Sequence, residues 1–229
     1  MKTIGIIGGI TWHSTLEYYR LVNQLVNERL GGVASAKIVL ASLDFAEIKT
    51  WTEKEDWEKI SATVCDAAKK LETAGAHCLL IGANTMHKIA GEVQAAVQVP
   101  VIHIADVTAN AIRQKGLSRV LLLGTKYTME LDFYKDKLAA AGIQTMIPDE
   151  PARISINSAI YEEMGKGIFL PERKAEFMQI IQRFADAGAE GVILGCTEIP
   201  VLLQGISKPI PDFDTMLLHA TAAVDFAVP

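Results

Sequence analysis

Short apolar runs that end at a glycine alternate with longer stretches of helical periodicity along the whole chain. Residues 4–7 are apolar and precede Gly8, and residues 78–81 precede Gly82 in the same way. Runs of this length suit buried strands, while the stretches between them place apolar residues every three or four positions, as amphipathic helices do. The alternation predicts βαβ units and parallel sheets with helices on both faces.

Two local patterns refine this prediction. Ser14 and Glu17 fit a capping box, which indicates that the first helix begins near Ser14. Residues 101–104 follow Pro100 and are rich in isoleucine and valine. They predict a fourth strand at the end of the first half of the chain.

The two halves of the sequence resemble each other. Residues 75–83 align without a gap with residues 188–196, at an offset of 113, and Gly8 matches Gly124 at an offset of 116. Either match alone fits the common helix–Gly–strand–Gly pattern, but two matches at nearly one offset favour an internal duplication. We therefore predict an α/β fold of two similar Rossmann-like or flavodoxin-like lobes with parallel sheets, related by a pseudo-two-fold axis. Loops beyond the carboxyl ends of the strands would then face each other across an active-site cleft. The predicted N-terminal lobe comprises residues 1–103 plus 213–229, and the predicted C-terminal lobe comprises residues 104–212.

Composition excludes several classes of function. The chain has 22 Lys and Arg against 27 Asp and Glu, a net charge of −5, and no basic run. We therefore expect no nucleic-acid partner and no binding to an anionic membrane. No stretch reaches the roughly 18 apolar residues of a spanning helix. Three cysteines, an odd number with no secretory signal, predict a cytoplasmic protein without a disulfide framework.

Cofactor and metal motifs are missing as well. The spacing G-x-G-x-x-G of a dinucleotide site and the phosphate-binding loop G-x-x-x-x-G-K-[ST] do not occur. The five histidines form no cluster with Cys, Asp or Glu at the spacing that metal ligands need. We expect no catalytic metal.

Cys196 differs from the other two cysteines in its position. It lies at a turn from an apolar run into a helix, among small polar residues, whereas Cys65 and Cys78 fit apolar core positions. The N-terminal end of a helix lowers the pKa of a nearby thiol from about 8.5, so we expect Cys196 to favour the thiolate. A small buried residue at a tight turn is the alternative interpretation.

Three segments carry a resemblance to a known family. Residues 193–202, ILGCTEIPVL, resemble the second cysteine signature of the aspartate/glutamate racemase family. Residues 81–87, IGANTMH, are similar to its first signature, whose core is a cysteine followed by Asn-Thr. Residues 8–15, GGITWHST, resemble the family's opening loop. The similarity extends over almost the whole chain and points to bacterial aspartate/glutamate racemases of broad specificity.

The resemblance implies a two-base racemase that uses neither pyridoxal phosphate nor any other cofactor. One side chain removes the α-proton from one face of aspartate or glutamate, and a second returns a proton to the other face. Cys196 stands at one of these positions, and position 83 is the other. The resemblance also implies a homodimer. The substrate-binding residues that follow from it are Gly9, Ile10, Thr11, Thr52, Asn84, Thr85, Thr125, Thr128, Thr197 and Glu198.

Some of these residues have a second interpretation. Thr125 and Thr128 also suit a helix cap. Glu198 suits two roles. One is to orient a water molecule or an ammonium group, and the other is to place a favourable negative charge at a helix N-terminus. His87 suits either support of the residues that contact the substrate or a purely structural role. Lys166 lies one residue after the position at which some relatives carry a lysine for the substrate's side-chain carboxylate.

Position 83 departs from the family pattern, because Ala83 stands where most relatives have the first catalytic cysteine. Alanine has no proton to give or take. Either the residue was introduced deliberately, or water, Thr85 or His87 supplies the second proton, or the chemistry is one-sided. Two alternative functions stay open at this point: a one-cysteine decarboxylase or isomerase of a small dicarboxylate, and a non-catalytic amino-acid-binding protein.

Overall fold

The computed structural model describes residues 1–228, which form seven strands and eleven α-helices, with one or more helices between successive strands. The strands are β1 (Ile4–Gly8), β2 (Ile38–Ser42), β3 (Cys78–Ile81), β4 (Arg119–Gly124), β5 (Gln144–Met146), β6 (Gly191–Gly195) and β7 (Asp212–Asp214). The α-helices are α1 (Trp12–Leu30), α2 (Phe45–Glu53), α3 (Trp57–Thr73), α4 (Ala90–Ala96), α5 (Ile104–Gln114), α6 (Lys126–Glu130), α7 (Asp132–Ala140), α8 (Glu150–Ser158), α9 (Pro171–Asp186), α10 (Glu198–Leu202) and α11 (Thr215–Ala227). The 3₁₀-helices are Thr85–Ile89 and Met164–Lys166, and a π-helix covers Ala159–Glu163.

The first of two structural units runs from Met1 to His103 and resumes at His219. Its sheet is parallel and has the strand order β2-β1-β3. Strands β1 and β3 are buried along their whole length, whereas the edge strand β2 is only partly buried. The apolar face of α3, which includes Ile60, Val64 and Leu71, packs with the sheet into one core.

The second unit, Ile104–Leu218, has a parallel sheet of order β5-β4-β6-β7. The order β5-β4-β6 repeats the order β2-β1-β3 of the first unit. Residues 213–218, which the sequence assigned to the N-terminal lobe, group with this second unit. The reason is that Phe213 pairs with Ile193 in the sheet and the Thr215 hydroxyl donates to the Leu194 carbonyl at 2.9 Å.

The aligned segments of the two halves adopt the same local structure. Gly75 follows α3 with a φ of 89°, and Gly188 follows α9 with a φ of 91°. After each glycine the chain enters a fully buried strand. Strand β3 ends before position 83, and strand β6 ends before position 196. The prediction of an α/β fold with two similar lobes of parallel sheet is confirmed.

Two local predictions were wrong. Residues 101–104 form no strand, because α5 already begins at Ile104 and only Val101 bridges to Leu79. Helix α1 begins at Trp12 rather than near Ser14, since the Thr11 side chain accepts the Ser14 amide at 3.3 Å. Ser14 is therefore the residue that is capped, not the cap.

Candidate functional site

Cys196 follows the buried strand β6 directly and precedes the short helix α10. Its thiol donates a hydrogen bond to Oε2 of Glu198 at 2.8 Å. The hydroxyl of Thr197 donates to the same oxygen at 2.7 Å. The Glu198 carboxylate is buried, with only 8% of the residue exposed, so one screened oxygen receives two donors. The side chain of Glu198 thus folds back over the turn and holds the thiol in place.

The Cys196 thiol is held in its protonated form. Burial is the main cause that raises its pKa well above the ordinary value, and the negative charge and hydrogen bond of Glu198 raise it further. The backbone amides of Thr197 and Glu198 act in the opposite direction. The expectation that the helix N-terminus would favour the thiolate was therefore wrong. Helix α10 has only five residues, and its amides are outweighed by burial and a carboxylate.

Replacing the Glu198 carboxylate separates the effect of its charge on the Cys196 pKa from the effect of burial. In Glu198→Gln we expect the pKa of Cys196 to fall, because a like charge in contact with the thiolate is lost while burial stays the same. The pH dependence of iodoacetamide labelling, followed for the Cys196 peptide by mass spectrometry, measures this change. Glu172→Gln in the exposed first turn of α9 is the matched control, for which the pKa should not move. An unchanged or higher Cys196 pKa in Glu198→Gln would contradict the assignment.

The corresponding turn of the first unit contains Ala83. The Ala83 methyl is partly buried against the core of that unit, so this strand end carries no titratable side chain. Asn84, Thr85 and His87 follow it and are all buried. The Nδ1 atom of His87 donates to the Ala83 carbonyl at 2.9 Å. His87 is thus tied to the backbone of position 83 rather than pointing to solvent.

The opening loop is fixed by threonine hydroxyls. The Gly9 amide donates to Thr15 Oγ1 at 2.7 Å, and that hydroxyl donates to the Thr11 carbonyl at 2.9 Å. Gly9 has a φ of 79°, and a Cβ there would lie 2.1 Å from the Leu43 carbonyl oxygen. Only glycine fits this approach of two backbone segments. Gly9, Ile10 and Thr11 therefore form a rigid loop directly after β1.

Thr125 and Thr128 occupy the matching loop after β4. The Thr125 side chain caps α6 by accepting the Thr128 amide at 3.3 Å, and the two hydroxyls lie 3.1 Å apart. Both residues are buried. The capping role that the sequence offered as the alternative for these residues is present; contact with a ligand stays a prediction.

Thr52 and Lys166 are the two remaining residues that were predicted to contact the substrate or to support its contacts. Thr52 is buried in α2, and its hydroxyl donates to the Ile48 carbonyl at 2.7 Å. Lys166 lies in the 3₁₀-helix Met164–Lys166, is more than half exposed and pairs with Glu162 at 2.8 Å. Their roles at the substrate stay predictions.

The sequence pattern did not indicate that three histidine rings pack together. The rings of His103 and His219 pack against that of His87. They lie far from His87 along the chain, so no local spacing signals their contact.

The Asp/Glu/hydantoin racemase family matches residues 7–223, nearly the whole chain. The chain belongs to this family. Its members are amino-acid racemases, which are isomerases.

Individual relatives of this racemase-family chain cover it completely or in large part. A Yersinia pestis protein assigned as an Asp/Glu racemase is 43% identical, with a TM-score of 0.93 and 100% of both chains covered. An aspartate racemase homologue from Pyrococcus horikoshii is 35% identical, with a TM-score of 0.88 and 100% of both chains covered. The broad specificity amino-acid racemase RacX of Bacillus subtilis is 25% identical over 169 residues, which is 74% of this chain and 73% of RacX.

Two features are absent from the part of the racemase-family chain that the structure describes. No group of three or more His, Cys, Asp or Glu side chains is arranged to hold a metal ion. No helix there combines the length and apolar character needed to cross a membrane.

Proposed function

We propose that the chain performs one-sided acid/base chemistry at the α-carbon of aspartate or glutamate, with Cys196 as the catalytic residue. The hydrogen bond between the Cys196 thiol and Glu198 carries this proposal. It pairs the residue that the family uses as a base with a buried proton acceptor. Membership of the Asp/Glu racemase family supports the substrate class.

The first step is proton transfer from the thiol to Glu198, which forms a thiolate and a neutral carboxylic acid. In the free protein this transfer is uphill, because the pKa of the thiol is raised. The α-ammonium group of a bound amino acid supplies a positive charge that favours the thiolate. The thiolate then removes the α-proton, and the electron pair of the C–H bond stays on the α-carbon as a carbanion conjugated with the substrate carboxylate.

Stabilising this carbanion falls to hydrogen-bond donors near the substrate carboxylate. We propose the backbone amides after positions 83 and 196 for this role, together with the side chains of Asn84, Thr85 and Thr197. The Gly9–Thr11 loop, Thr52, Thr125, Thr128 and Glu198 complete the proposed substrate contacts, and Lys166 supports them from further away.

Ala83 decides the stereochemical outcome in this proposal. A racemase returns the proton from the face opposite to the one from which it was removed. A methyl group at position 83 offers no proton there, so the thiol of Cys196 exchanges the abstracted proton with solvent and then donates a solvent-derived proton to the original face. The expected reaction is exchange of the α-hydrogen with solvent and retention of configuration.

Incubation with each enantiomer of aspartate and glutamate in deuterated buffer tests the function. We expect the α-proton NMR signal of one enantiomer to disappear, while chiral chromatography shows no formation of the other. No exchange with any of the four amino acids would refute the proposal, and racemisation of an enantiomer would refute its one-sidedness.

The same geometry also suits a second reaction, the decarboxylation of a small dicarboxylate. A thiol with a raised pKa is also suited to protonating, from one face, the carbanion left when a small malonate-type dicarboxylate loses carbon dioxide. Release of carbon dioxide from such acids without α-hydrogen exchange of amino acids would favour this decarboxylase. A homodimer and a cytoplasmic location stay predictions from the family resemblance and the cysteine count.

A further inference from the structure

Three histidine rings meet in the core of the first unit. His87 comes from the 3₁₀-helix Thr85–Ile89, His103 precedes α5, and His219 lies in α11. The ring centroids of His87 and His103 are 4.8 Å apart, and those of His87 and His219 are 5.4 Å apart. We call these three residues the histidine cluster. His103 is the residue at which the chain leaves the first unit, and His219 is the residue at which it returns.

Backbone carbonyls fix the tautomers of two rings. A carbonyl only accepts, so the Nδ1 of His87, 2.9 Å from the Ala83 oxygen, carries the proton. Its Nε2 is buried and has no hydrogen-bond partner. The Nε2 of His219 donates to the Ile102 carbonyl at 2.7 Å, so its Nδ1 accepts the Tyr18 hydroxyl at 2.8 Å. Both rings are thus held in one orientation as neutral imidazoles.

We infer that the histidine cluster positions the turn at residues 83–84. The peptide bond between Ala83 and Asn84 is planar, so the direction of the Ala83 carbonyl also fixes the direction of the Asn84 amide. His87 holds that carbonyl, and His103 and His219 hold the ring of His87. The inference rests on the proposed function only in that the Asn84 amide is proposed to bind the substrate carboxylate. The three histidines are positioning residues and do not take part in proton transfer to the substrate.

His87 and His219 must stay neutral to do this. Burial is the main cause that lowers the pKa of His87 well below its usual value, and the imidazoles of His103 and His219 lower it further. Burial also lowers the pKa of His219 to about 4. The groups that face these two rings are the other imidazoles, the Tyr18 hydroxyl of α1 and the carbonyls of Ala83, Asn84 and Ile102. None of these groups supplies a negative charge at neutral pH to offset an added proton.

The direction of the pH effect follows from these pKa values. His87 or His219 released from the cluster protonates near pH 6.5, whereas in the cluster its pKa is lowered, for His219 to about 4. Between pH 6.5 and about 4 the released state therefore binds more protons, and acid favours release. Between pH 7 and pH 5 this amounts to about 20-fold for His219, and the effect on His87 has the same direction. Above pH 7 the effect vanishes.

The test compares two substitutions of His87. Asparagine places an amide nitrogen where Nδ1 was and keeps the donor to Ala83 without a titratable ring, while leucine removes the donor. His77→Asn is the matched control, because His77 is exposed and its Nδ1 accepts the Thr3 amide, a bond that asparagine can also make. Amide hydrogen exchange of residues 83–89, corrected for intrinsic rates, and the KM and kcat of α-hydrogen exchange are the two measurements.

We expect His87→Leu to lower the protection of amides 83–89 at least about 10-fold and to raise KM more than it lowers kcat. His87→Asn should restore most of the protection at pH 7 and lose less of it than the wild type on acidification to pH 5. Tyr18→Phe removes the hydroxyl that donates to His219, so it should also lower the hydrogen-exchange protection of amides 83–89. If His87→Leu matches His77→Asn in amide protection, the inference is wrong. Amide protection is measured without turnover, so a wild-type protein that exchanges no amino acid refutes the proposed function and leaves this test intact.

Discussion

Ala83→Cys is expected to turn one-sided exchange into racemisation. The Ala83 Cβ already occupies the strand end equivalent to that of Cys196, so the substitution adds a single sulfur atom at the position proposed for the second acid/base group. Proton transfer by a positioned group contributes about 10²–10⁴-fold to a rate. We expect racemisation of aspartate or glutamate to rise from background by at least about 10²-fold, as measured by chiral chromatography.

Two variants control this result. Ala83→Ser adds an atom at the same place but has a hydroxyl that is far too weak an acid to replace the thiol, so it should stay near background. Combining Ala83→Cys with Cys196→Ser should abolish the gain, because both bases are needed for inversion. Background racemisation of both amino acids in Ala83→Cys would show that position 83 is not the site of the second base.

Cys196→Ser is expected to remove α-hydrogen exchange, lowering its rate by at least about 10²-fold. A serine hydroxyl is able to make the same hydrogen bond to Glu198, so the turn should keep its shape while its acid/base group is lost. The rate of loss of the α-proton NMR signal in deuterated buffer measures the effect.

Cys65→Ser is the matched control for this variant. Cys65 is partly buried on α3 and packs against the core of the first unit, so its loss should leave exchange near the wild-type rate. Exchange that survives in Cys196→Ser would remove Cys196 from the mechanism. Equal binding of aspartate by wild type and Cys196→Ser, without exchange in either, would instead identify a binding protein.

The pattern of the sequence was sufficient for the architecture because it depends on features repeated along the chain. Buried strands that end at a glycine, and helices of 3.6-residue period, are readable one segment at a time. The repeated segments at 75–83 and 188–196 even indicated which strand ends correspond. Residues 101–104 show the limit, since an apolar run after a proline looks like a strand until the start of α5 is known.

The properties of the site depended on contacts that sequence spacing does not reveal. The position of Cys196 was readable from the turn after an apolar run, but its pKa was not. That pKa depends on burial and on the rotamer with which Glu198 turns back to the thiol. The histidine cluster joins residues from three separate parts of the chain, and only tertiary packing brings their rings together.

The hydrogen bond that holds Cys196 also bears on the chemical durability of the protein. Peroxides attack the thiolate, and a cysteine that stays protonated is oxidised slowly. By keeping the thiol neutral, Glu198 and the surrounding burial protect Cys196 from conversion to sulfenic acid. In a chain whose first-unit strand end carries alanine, a single oxidised sulfur at Cys196 would remove the proposed activity entirely, so this protection would preserve that activity.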